Sequence, residues 1–205
     1  MQEPFETANT RFGPGSSSEP GVTGSQDETT LMQRTARGDP AAFRALAELH
    51  LGKIMNFAYR MLHDRTEAED VAQETFLRLW KDAGRYEPRA RVGTWLHRIA
   101  HNLCIDRLRR SREEPSEDLD DERCSEEPGG LLDRKREASA VERALASLPE
   151  RQRAAITLVH YQGLGNIEAA AIMDIGVEAL ESLLSRGRRT LRTLLAEVAV
   201  QGGRS

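Results

Sequence analysis

Arg98 and Asn102 stand four residues apart in the run from Thr94 to Arg110, with Trp95 three residues before Arg98 and His101 three after it. Residues three and four apart share one face of a helix. An amide offers both a donor and an acceptor to a base edge, and guanidinium and aromatic planes stack on unpaired bases. The preceding link, Tyr86-Glu87-Pro88-Arg89-Ala90-Arg91, brings another aromatic and two cations next to that face. The chemistry these types suit is recognition of exposed nucleic-acid bases. Trp95 fits a core position as well as a stacking one.

Two other constellations stand out. Asp70, Gln73, Glu74, Leu77 and Lys81 fall on one side of a helical pattern, opposite its apolar stripe. Acid and amide groups beside one exposed leucine suit docking of a basic partner helix. Near the end of the chain, Ser182, Arg186, Arg188 and Arg189 are available for phosphates and base edges.

No arrangement of nucleophile, base and orienting acid is present, and the turn Gly163-Leu164-Gly165 lacks the lysine of a phosphate-cradling loop. There is no C-x-x-C pair and no Cys/His cluster at zinc spacing. His97 and His101 are expected on the helix surface or facing nucleic acid, Cys104 in a core, and Cys124 in a charged linker. The expectation is a binding protein with no catalytic residue, metal or cofactor.

The elements that must position these groups are helical. Thr66-Glu67-Ala68-Glu69 has the form of a capping box. Ala68, Val71, Ala72, Phe76, Leu79 and Trp80 then give an apolar stripe through Lys81. A second pattern starts near Thr94 and turns Leu96, Ile99, Ala100 and Leu103 to one side. Before them, a short helix over Glu28–Ala36 ends at Gly38, and Asp39-Pro40 starts a longer one through His63. These four predict a bundle whose core holds Phe43, Leu46, Phe57, Met61, Phe76, Leu79, Leu96, Ile99 and Leu103, with His50 as a hydrogen-bonded core residue. Toward the C-terminus, helices are expected over Glu137–Ser147, Glu150–Tyr161 and Ile167–Met173, the last capped by Asn166. The turn Asp174-Ile175-Gly176 leads to a long helix over Val177–Leu195, which completes a helix-turn-helix.

Charge marks the boundaries. Of 205 residues with net charge −4, residues 28–110 hold fifteen basic and eleven acidic groups, and 111–135 hold four and ten. The expected class is all-α: two small helical domains, 28–110 and 136–205, joined by a flexible acidic linker, 111–135. Residues 1–27, rich in Gly, Ser, Thr and Pro, are expected to be a disordered extension. No apolar run reaches membrane-span length and no signal peptide opens the chain, so a cytoplasmic protein without membrane insertion is expected.

EDVAQETFLRLW followed by GTWLHRIAHNLCIDRLRR resembles region 2 of bacterial sigma factors of the extracytoplasmic-function (ECF) group, and LASLPERQRAAITLVHYQGL through LSRGRRTLRTLL resembles their region 4. The resemblance runs from Glu28 to Arg110 and from Leu145 to Leu195. It implies an alternative sigma factor that binds core RNA polymerase and directs promoter-specific initiation. It implies that Asp70, Gln73, Glu74, Leu77 and Lys81 meet the β′ clamp helices, that region 4 meets the β flap, and that the acidic linker threads near the RNA exit path. Tyr86, Trp95, Arg98, His101 and Asn102 would read the −10 element, and Ser182, Arg186, Arg188 and Arg189 the −35 element. An anti-sigma factor that clamps the domains is a further implied partner. The sequence departs from the family pattern at Asp174, where glycine is common, and at Glu181 and Leu183, where basic or polar residues are more usual. Other readings are a helix-turn-helix regulator acting without polymerase, which has no need of the Asp70–Trp80 motif, and an adaptor whose two domains bind only proteins.

Overall fold

The computed structural model describes residues 20–88, 90–113 and 140–202. Most of the acidic run, with Cys124, and the first nineteen residues lie outside the described residues, as does the start of the helix expected from Glu137. Among the described residues every regular element is helical. In chain order they are α1 (Pro20–Ala36), α2 (Pro40–Leu62), α3 (Arg65–Asp82), a 3-10 turn at Ala83–Arg85 and α4 (Val92–Glu113). Then follow α5 (residues 140–146), α6 (Glu150–Ile156) prolonged by a π-helical turn over Thr157–Tyr161, α7 (Asn166–Ile172) and α8 (Val177–Gly202). None is long and apolar enough to cross a membrane.

Local chemistry accounts for the boundaries. Gly38, at φ +84°, ends α1 in the left-handed conformation that glycine adopts without a Cβ penalty. Asp39 caps α2: its Oδ1 accepts from Ala41 N at 2.9 Å and Ala42 N at 3.3 Å, and Pro40 occupies the first turn. Arg34, 2.9 Å from Asp39 Oδ2, and the capping amides hold this carboxyl below the usual carboxylate range.

Several expected boundaries are corrected. α1 begins at Pro20, so the N-terminal extension cannot be structureless to residue 27; a proline fits the first turn of a helix, where no amide donor is needed. The cap of α3 is Asp64, whose Oδ1 accepts from Glu67 N at 3.0 Å, and Thr66 lies inside the first turn. The aspartate two residues upstream reaches the free amides first. α4 starts two residues before Thr94 and runs three past Arg110, where Arg112 pairs with Glu150 at 3.2 Å. At α7 the cap is Gly165, whose amide donates to Glu168 Oε2 at 3.3 Å, while Asn166 is already helical. Asp174 turns the chain into α8 at φ +53°, the left-handed conformation its short polar side chain tolerates.

α2 packs on α1, α3 and α4. Leu46, Phe57, Met61, Leu79 and Leu96 are fully buried, and each such side chain contributes about 1.5–3 kcal/mol. Phe43 and Ile99 are half-buried; Phe43 sits edge-on to Trp80 at 5.2 Å, and Trp80 stays 39% exposed. Leu145, Leu148, Leu158, Ile172 and Leu180 form the C-terminal core. The two cores join. α2 meets α6 and the π turn, and α4 meets α7, so one continuous apolar cluster runs through both blocks.

Candidate functional site

The first surface is a groove of about 440 Å³ between α3 and α4, lined by Asp70, Gln73, Glu74, Leu77 and Arg78 from α3 and Leu103, Arg107 and Arg110 from α4. The capping aspartate sets the helix start, and the Val71–Phe76–Leu79 stripe turns these α3 groups outward. Leu77 is 45% exposed. Arg107 fixes the groove end: it donates to Glu67 O at 2.9 Å, pairs with Glu67 Oε2 at 2.9 Å and reaches Asp70 at 4.0 Å. Glu74 pairs with Arg78 at 2.8 Å, one turn on. Lys81 is exposed beyond the groove. The α4 groups were not legible as members of this surface, because their place depends on how α4 crosses α3; Arg78, four residues after Glu74 on α3, follows from helix spacing alone.

The second surface lies at the start of α4. Arg98 and Asn102 are exposed, one turn apart, as expected. Tyr86 and Trp95 are both half-buried, their rings 6.0 Å apart and edge-on; the Tyr86 hydroxyl donates to Ala90 O at 2.6 Å. Trp95 therefore serves the core on one side and keeps a partly exposed ring on the other.

His101 is corrected. It is only 8% exposed, with Nδ1 3.4 Å from Asn102 Oδ1, and burial lowers its pKa beside Arg151 and Glu150 of α6. His97 is 3% exposed, edge-on to Phe57 at 5.7 Å, with Nδ1 2.7 Å from Gly93 O. Both rings were expected at the surface. His97 lies between Phe57 of α2 and Gln162 of the C-terminal block, and His101 faces α6. Across the same seam Thr94 donates to Glu168 Oε1 at 3.3 Å, and Arg91 lies 3.9 Å from that oxygen.

The third surface is the outer face of α8. Ser182, Arg186, Arg188 and Arg189 are all exposed. Ser182, Leu183 and Arg186 share a groove of about 510 Å³ with Arg112, Glu150, Arg151 and Gln152. The contribution of Arg112 and Arg151 was not visible in the sequence, since they come from α4 and α6. Leu183 is half-buried against the core, which accounts for an apolar residue at this position. Asn166 Nδ2 reaches Glu181 Oε1 at 3.4 Å. Cys104 is buried, and burial pushes its thiol up to about 12, so it stays an unreactive core residue.

The architecture is a helical bundle with a polar groove between α3 and α4, followed by a helix-turn-helix block. Residues 46–114 match the family Sigma-70 region 2, and residues 138–191 match Sigma-70, region 4. The chain is 31% identical over 181 residues to the ECF RNA polymerase sigma factor SigW of Bacillus subtilis, covering 82% of this chain and 96% of that one. It is 34% identical over 184 residues to the ECF sigma factor SigE of Mycolicibacterium smegmatis, covering 86% and 71%. Among solved structures, CnrH in complex with the cytosolic domain of CnrY is similar at TM-score 0.65 and 26% identity, covering 83% of this chain and 98% of that one. RpoE of Bartonella quintana, in complex with the anti-sigma factor NepR, is similar at TM-score 0.64 and 25% identity, covering 75% and 96%. The chain belongs to the ECF group of the sigma-70 family. It is an alternative sigma factor, whose partners are core RNA polymerase and promoter DNA.

Proposed function

We propose that the three surfaces divide the work of promoter-directed initiation. The groove of Asp70, Gln73, Glu74 and Leu77, with Lys81 beyond it, docks on a basic coiled coil of the polymerase, the β′ clamp helices. Arg98 and Asn102, with the Tyr86–Trp95 pair beside them, receive the melted −10 strand. α8 presents Ser182, Arg186, Arg188 and Arg189 to the −35 duplex, and the C-terminal block also meets the β flap. The N-terminal block through α4 thus has the first two tasks and the block from α5 the third. Chemistry stays with the polymerase, so the chain is no enzyme, and it works in the cytoplasm, where the polymerase is.

The observation that carries this reading is the outward face of α3, where Asp70, Gln73 and Glu74 stand beside the exposed Leu77 along the groove. A helix-turn-helix regulator acting without polymerase has no use for it. CnrH and RpoE are each seen with a partner, the cytosolic domain of CnrY and the anti-sigma factor NepR. By the same logic an anti-sigma factor controls this chain. The test is run-off transcription from genomic fragments with core polymerase. Discrete transcripts should appear only when the protein is added; identical transcripts with and without it would refute the reading.

A further inference from the structure

The outer face of α8 changes character along its length. Glu178, Glu181 and Ser182 are exposed in its first two turns, and Arg186, Arg188 and Arg189 are exposed beyond them. Arginines suit phosphates. Carboxylates on a helix entering a groove between two rows of phosphates are repelled unless they meet a hydrogen-bond donor. In the major groove those donors are the exocyclic amines of cytosine and adenine. Adenine sets its amine beside the N7 acceptor of the same base, which repels a carboxylate. Cytosine sets no acceptor of its own beside N4 and is the better match.

Position and one contact narrow the choice to one residue. The N-terminal residues of a recognition helix are those that reach base edges. Glu178 and Glu181 both stand near this end of α8, and Glu181 is the one that the preceding helix holds. Leu183 turns toward the core. Glu181 is exposed, and one of its oxygens is 3.4 Å from Asn166 Nδ2, at the start of α7. That contact ties the carboxylate to the preceding helix and limits the rotamers of a side chain that would otherwise be free to swing away.

We propose that Glu181 is a specificity-determining residue for the upstream promoter element, accepting a hydrogen bond from the N4 amine of a cytosine, with Asn166 as its positioning residue. The assignment rests on α8 being the duplex-reading helix. The test is selection from a promoter library randomised over both elements, using the full chain with core polymerase. Wild type should select cytosine at one upstream position. Glu181→Ala should lose that preference by roughly 5- to 150-fold, the range of one good base contact. Glu181→Gln should move the preference at the same position to adenine, because a carboxamide pairs with N6 and N7. Asn166→Ala should weaken discrimination there without moving it, and downstream preferences should stay unchanged throughout. If wild type selects no upstream bases, both the duplex-reading role of α8 and this assignment fail. If wild type selects them and the Glu181 variants leave them unaltered, or change affinity uniformly at all positions, this assignment alone fails.

Discussion

Arg153 of α6 donates through Nη1 to the carbonyl of Met61, at the end of α2 and ninety-two residues upstream. Through Nη2 it donates to Ala146 O at 2.6 Å and Leu148 O at 3.1 Å, at the end of α5. The last carbonyls of a helix lack intrahelical partners, and its C-terminus carries partial negative charge. One guanidinium therefore satisfies two helix ends that belong to different blocks. Around it Arg60 pairs with Glu142 at 3.1 Å and lies 4.2 Å over the Tyr161 ring. Arg153→Ala should weaken the seam by about 1–3 kcal/mol, the cost of leaving buried polar groups unpaired. Thermal unfolding should shift down, and small-angle scattering should show a larger radius of gyration. Unchanged scattering and stability would count against this role. Arg153→Lys, which keeps the charge but loses the planar fork, should fall between the two.

Glu74→Lys should weaken binding to core polymerase at moderate salt while leaving the melting temperature close to wild type. The Glu74–Arg78 pair that it breaks is exposed on both sides, and such i,i+4 pairs contribute only about 0.3–0.5 kcal/mol. Core affinity is read by fluorescence anisotropy of labelled protein. An affinity equal to wild type would remove Glu74 from the docking surface.

Asn102→Ala should cost discrimination at one base of the downstream element, about 1–3 kcal/mol for a well-formed contact. Binding to the closed duplex should be spared. Arg188→Ala should weaken duplex binding with little regard to sequence and reduce its salt dependence, because a phosphate cation is lost. Both are read on duplex and pre-melted templates with core polymerase present. Equal loss on the two templates for Asn102→Ala, with no change in base preference, would detach this face from the melted strand.

His63 ends α2 in the left-handed conformation, and burial first, then Arg153 and Arg60, lower its pKa from 6.5 to about 4. Burial lowers His50, His97 and His101 in the same direction. For His63 the unfolded chain binds more protons than the folded one between about 4 and 6.5, so stability rises with pH through that window. It is fully present above the upper value and falls as pH drops toward the lower. The melting temperature should fall by several degrees from neutral pH to about pH 5, and His63→Gln should make the slope shallower. A melting temperature independent of pH over that range would contradict it.

Gly187 is buried where α8 crosses α6, and a Cβ at this position would stand 3.1 Å from Ile156 Cγ1. Gly187→Leu gains about 1 kcal/mol of helix propensity. Overpacking costs about 1–3 kcal/mol, so the net effect should be destabilising. Urea unfolding reads the sign directly. A stabilised variant would mean that Ile156 yields.

The all-helical class, the helix-turn-helix and the outward faces of α3 and α8 were legible because they depend on local rules. The 3.6-residue period separates Val71, Phe76 and Leu79 from Asp70, Gln73 and Glu74 within a single helix, and Asp39-Pro40 and Gly38 mark boundaries wherever the helices go. The left-handed turn at Asp174 was foreseeable for the same reason. Which side chain caps a helix was less so: the Asp64 carboxylate and the Thr66 hydroxyl compete for free amides within two residues, and pattern alone does not rank them. The tertiary structure decided what has no period. It packed His97 against Phe57 of α2 beside Gln162, and His101 beside Glu150 and Arg151 of α6, and so moved both from surface to interior. It brought Leu103, Arg107 and Arg110 into the α3 groove, and Arg112 and Arg151 beside Arg186. It put Arg153 across two helix ends far apart in the chain. A single-helix pattern separates one buried face from one exposed face, and it holds no record of a second body packing against the latter.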